Sequence, residues 1–146
     1  MRHYILHILI CCISALIATT GCNYASSGTF TDAPLAWSWA FGDSNPPQGV
    51  TVNHSQYWSS AHFTEEYIWY FDLTLDANAV ELILNDADFR VDNHLESTTN
   101  YDSNAPQWFL PEGADGYTLY VSPSEPSFLI YLNPDTGRSF WTKTQL

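Results

Sequence analysis

Residues 62–76, "HFTEEYIWYFDLTLD", set Phe63, Glu65, Tyr67, Trp69, Phe71, Leu73 and Leu75 at alternate positions. His62, Thr64, Glu66, Ile68, Tyr70, Asp72, Thr74 and Asp76 lie between them. A period of two belongs to a strand, whose successive side chains leave opposite faces. The segment predicts one long strand, buried on the first set and largely wet on the second. Asp76 then supplies an N-cap for "ANAVELILND", where Val80, Ile83, Leu84 and the following Ala87 recur at helical spacing. That short helix is expected to lie on the strand's apolar face.

The same reading extends to the rest of the chain. "LAWSWAF" alternates Leu35, Trp37, Trp39 and Phe41 and predicts a short strand. "GDSNPPQG" is a loop by its Gly, Asn and Pro content, and "VTVNHSQYW" predicts a second strand. Residues 92–116 read as loop, with Trp108, Phe109 and Leu110 as an apolar plug between prolines. "YTLYV", "SFLIYL" and "RSFWTKT" predict a closing meander, with "NPDTG" as a turn in which Gly137 can take positive φ. There is no internal repeat and no low-complexity tract. These elements predict a single small α+β domain over residues 34–146, a mostly antiparallel sheet of five to six strands with one short helix packed on one face.

The N-terminus has a different pattern. Arg2 precedes an apolar run from Tyr4 to Ala18, and small residues lead into Gly21-Cys22. That is the layout of an export signal, and the run falls short of the roughly 20 residues a spanning helix needs. With Thr19-Thr20-Gly21-Cys22 at its end, the segment resembles a bacterial lipoprotein precursor. Thr20 and Gly21 fit that family's lipobox, whereas Thr19 stands where Leu or Val is usual. The resemblance implies that residues 1–21 are removed and that Cys22 is diacylated and becomes the first residue. The protein would then be held in a bacterial envelope membrane by its acyl chains. Residues 22–33, small and polar, would be the tether. Asn23, where Asp marks inner-membrane retention in some bacteria, inclines the placement to the outer membrane or the periplasmic face. Cys11 and Cys12 would leave with the signal, so the mature domain would have no internal disulfide.

Charge narrows the partners. The chain has 16 acidic residues against four basic ones, and without Arg2 the mature part has net charge −13. Such a surface repels nucleic acid, and no cluster of Lys or Arg exists to neutralise phosphates. A cationic or neutral partner, such as another envelope protein or a surface glycan, is compatible with it. Beyond the signal, several motifs resemble a loose group of small bacterial envelope proteins of uncharacterised function. They are Pro46-Pro47, the aromatic strand running into an acid-capped helix, Trp108-Phe109-Leu110-Pro111, and the closing stretch from Tyr131 to Trp141. That resemblance spans about 100 residues and implies a shared fold without a particular activity.

Candidate chemistry is sparse. His54 and His62, with Glu66 or Asp72, would make a metal site if adjacent strands brought them together, but their spacing is wider than metal sites usually show. His94 is the remaining histidine of the mature chain. Asp86, Asp88 and Asp92 only partly match a calcium loop, because Arg90 interrupts them and the glycine is missing. The sequence therefore implies no metal and no cofactor. Glu65, a carboxylate on the otherwise apolar face, would serve as a general acid if buried. A glycan or peptide hydrolase using Glu65 or Glu66 is accordingly the alternative to a non-catalytic binding module. No nucleophile-elbow, P-loop or zincin motif is present. Among the many aromatics, most of which fill the core, Tyr70 and Tyr131 are expected to face outward by alternation. With Trp58 they are the candidate ligand-stacking residues.

Overall fold

The computed structural model describes residues 28–60, 66–92, 105–110 and 114–145. Within these, Gly28–Phe30 (β1), Ala33–Phe41 (α1), Val50–Ser59 (β2), Tyr67–Leu75 (β3), Ala77–Asn85 (α2), Arg90–Val91 (β4), Thr118–Val121 (β5), Phe128–Leu132 (β6) and Arg138–Gln145 (β7) follow in chain order. The seven strands form one sheet in the order β1-β2-β3-β7-β6-β5-β4, every neighbouring pair antiparallel. The domain is α+β and mostly sheet, as expected, with more strands and one more helix than the sequence suggested. No helix among the described residues is long and apolar enough to cross a membrane.

The additional helix is α1, where the alternating aromatics predicted a strand. Its ends explain the difference. Asp32 has extended φ/ψ and accepts the Leu35 amide at 3.1 Å, Pro34 occupies the first turn, and Gly42 closes the helix at φ 79°. These are start and stop signals for a helix. With apolar residues at nearly every position between them, the chain can also bury a helical face. Trp37 and Phe41, four apart, pack at 4.2 Å between ring centroids, and Ala36 and Trp37 are buried. At α2 the cap is as expected: Asp76 accepts the Ala79 amide at 2.8 Å, and Ala79 and Val80 are buried, whereas Leu84 is exposed and Ala87 lies beyond the helix.

The sheet separates two cores. On one side α1 and α2 cover Trp69, Phe71, Leu73 and Leu75 of β3 together with Tyr57, Ile130 and Leu132. The indole N–H groups of Trp37 and Trp69 are buried there with no hydrogen-bond acceptor among the described residues. On the other side Phe109 and Leu110 cover Tyr70, Leu119, Tyr131 and Phe140. Phe109 meets the Tyr70 ring edge-on at 5.0 Å and the Phe140 ring at 5.6 Å. Burying two side chains of this size stabilises by about 1.5–3 kcal/mol each. That offsets the cost, about 1–2 kcal/mol, of holding Leu110 at φ 46°.

This second core corrects the expectation that the far face of β3 is largely wet. The apolar plug 108–110 was legible in the sequence, but its seat on that face was not. Tyr70 and Tyr131 are consequently 4% and 1% exposed, not outward-facing. Trp58, on the same face opposite Ile68, is half-buried. Within the span read as tether, β1 pairs with the end of β2, so Gly28–Phe30 is strand.

Candidate functional site

A register irregularity builds a polar cluster in the middle of the sheet. Val50 and Val52 of β2 pair with Leu75 and Leu73, on the helix-covered face. Strict alternation would then send His54 to that face as well. Between Val52 and His54 the register shifts, so His54 stands opposite Asp72 while Ser55 and Tyr57 pair with Phe71 and Trp69. An extra residue of this kind re-aims the side chains that follow it. Asn53, the extra residue, donates from Nδ2 to Asp72 Oδ1 at 3.2 Å and to Thr74 Oγ1 at 3.0 Å.

Arg138 reaches the same carboxylate from β7. The preceding turn is tied by Asn133, whose side-chain oxygen accepts the amides of Asp135 and Thr136, both at 3.1 Å. Arg138 thereby pairs with Thr74, diagonal to Asp72. Its Nε donates to Oδ1 at 3.4 Å and its Nη2 to Oδ2 at 3.3 Å, a fork-to-fork arrangement. The guanidinium also lies over the Phe140 ring, 5.0 Å from its centroid.

Asp72 is thus a buried anion whose two oxygens are held by Asn53, His54 and Arg138. Its side chain is 2% exposed, whereas that of His54 is 55% exposed. The His54 Nδ1–Asp72 Oδ2 distance is 3.1 Å. An ionised carboxylate only accepts hydrogen bonds, so the proton is assigned to Nδ1 and Nε2 is the ring's other polar atom. The Trp108 indole stacks on the imidazole at 5.3 Å and 20° between planes. Fixed at one nitrogen and on one ring face, His54 is an oriented hydrogen-bonding group beside the exposed Asn53, Thr74 and Arg138. The sequence named His54 and Asp72 as metal-ligand candidates; the structure brings them together as a hydrogen-bonded pair and adds Asn53, Arg138 and Trp108.

The other candidates are placed as follows. Cys22, His62, Glu65 and His94 lie outside the described residues. Glu66, half-buried, precedes β3, and its carbonyl accepts the Ser60 amide at 3.0 Å. Six residues of strand, about 20 Å at the usual rise, separate it from Asp72; paired glycosidase carboxylates need to be about 5–9.5 Å apart. Asp86 ends α2, and its side chain accepts the Asp88 amide at 2.9 Å. Among the described residues no group of three or more His, Cys, Asp or Glu side chains is arranged to hold a metal ion. No protein-family model, no curated protein and no solved structure matches the chain.

Proposed function

We propose that the protein is a lipid-anchored module of a bacterial cell envelope, held by acyl chains on Cys22, that acts by binding an envelope protein or surface polymer and not by catalysis. Anchorage is supported by the apolar run ending in Thr19-Thr20-Gly21-Cys22.

The binding reading is carried by one observation, the buried Asp72 that pins Arg138, Asn53 and the His54 on which Trp108 stacks. A carboxylate engaged in this way is committed to orienting its neighbours. The planar groups it orients, next to an aromatic ring, suit a neutral polyhydroxylated ligand, which the net negative charge does not repel. A surface glycan is therefore the favoured partner.

Two experiments test the proposal. Wild-type protein should sediment with bacterial membranes and Cys22→Ser should not; equal partitioning contradicts the anchor. Titration with oligosaccharides released from the cell envelope should change tryptophan fluorescence saturably, and His54→Ala should abolish the change. A flat wild-type titration contradicts the glycan reading.

A further inference from the structure

α1 carries an apolar surface whose position in the chain gives it a use. Leu35 and Trp39 are 42% and 45% exposed. A spacing of four puts them on one side of the helix, away from the buried Ala36 and Trp37. The ten residues between Asp32 and Asp43 carry no charge, in a chain with 16 acidic residues. This surface adjoins the segment that would come from the anchor. Phe30 of β1 stacks parallel to Trp39, with 6.2 Å between centroids and 7° between planes, and Tyr57 flanks Trp39 at 6.0 Å.

Only six residue steps separate Cys22 from Gly28, the start of β1. Fully extended, they reach about 21 Å. An acyl chain on Cys22 would keep β1, and α1 packed against it, within that distance of the lipid surface. Contact between α1 and the bilayer then becomes an intramolecular event at high effective concentration, so a small apolar patch suffices.

We propose that Leu35 and Trp39 dock the domain on the bilayer that holds its own acyl chains, with the indole of Trp39 at the headgroup boundary. The inference rests on lipidation at Cys22. An indole, apolar in body with one polar N–H, suits that boundary. The patch contains no Lys or Arg, so the contact is apolar and insensitive to salt, unlike that of a polybasic segment. A net charge of −13 makes a zwitterionic surface the better match.

The test uses the full protein extracted from membranes, its N-terminal peptide checked by mass, in phosphatidylcholine vesicles with brominated acyl chains. Bromine quenches indoles at the bilayer. Wild-type fluorescence should be quenched, and Trp39→Phe should lose most of that quenching. Leu35→Glu, which keeps every tryptophan and places an acid in the first helical turn where it is tolerated, should reduce quenching as well. Acylated protein quenched equally in wild type and both variants, or not quenched at all, overturns this inference alone. A peptide without acyl mass overturns the anchor and this inference together.

Discussion

The carbonyl oxygen of Gly137 accepts the Leu75 amide at 2.8 Å, bonding the turn after β6 to the end of β3. That bond sits beside the pairing of Thr74 with Arg138, which brings the guanidinium within reach of Asp72. Gly137 has φ 70°, and a Cβ there would collide with the Leu75 carbonyl oxygen. Gly42, at φ 79°, has nothing within 4 Å of its would-be Cβ. Gly42→Ala should therefore cost only the left-handed backbone term, about 1–2 kcal/mol. Gly137→Ala should cost distinctly more and should also weaken the Asp72 cluster. Urea midpoints of the two variants check this; equal losses would contradict the close approach.

The pairing of Asp72 with Arg138 is asymmetric, since the carboxylate is buried and the guanidinium is half exposed. Arg138→Met leaves a buried anion without its permanent counter-charge, and breaking such a pair costs about 3–5 kcal/mol. Asp72→Asn removes the charge, keeps an acceptor, and leaves His54 and Arg138 open to water. Chemical denaturation should rank Arg138→Met as the more destabilising of the two. The reverse order would mean that the counter-charge of Arg138 contributes little.

Alkaline pH should loosen the fold. Burial raises the Tyr57 phenol above its usual range, with neighbouring Tyr67 adding to the effect, and burial also raises Tyr120. For Lys143 burial pulls downward, but hydrogen bonds to Glu125 and Tyr67 outweigh it and the net shift is upward. In each case the folded state holds its proton to higher pH than the unfolded chain. The associated stability is complete below about pH 10 and is lost as pH rises through the folded values. The denaturation midpoint should fall as pH rises above about 10, and Tyr57→Phe should make the fall shallower. A midpoint constant over that range would contradict the assignment.

Asp32 tests why residues 33–41 are helical. If its cap on Leu35 selects helix over strand, Asp32→Ala should cost about 1 kcal/mol and lower helical circular dichroism. A neutral substitution would leave Pro34, Gly42 and the packing of Trp37 and Phe41 as the causes.

That helix also shows where sequence reading stops. Leu35, Trp37, Trp39 and Phe41 alternate as a strand's residues do, yet the helical signal lies at the ends, in Asp32, Pro34 and Gly42. The strand through Trp69 and Phe71, the cap at Asp76 and the closing turn at Gly137 were legible, because each depends on local periodicity or backbone chemistry. Burial of Tyr70 and Tyr131 was not, since it depends on where Phe109 folds back. Of the candidate site, His54 and Asp72 could be named from residue type alone. Their meeting depends on a register shift at Asn53 that alternation cannot reveal, and Arg138 comes from 66 positions along the chain.

The proposed anchorage through Cys22 would account for both the proposed envelope location and the proposed contact of α1 with the bilayer. It is tested most directly by the intact mass and N-terminal peptide of the protein extracted from bacterial membranes. The predicted result is a chain that begins at Cys22 and carries the mass of a diacylglycerol group. A chain retaining residues 1–21, or one found soluble with Cys22 unmodified, would contradict it.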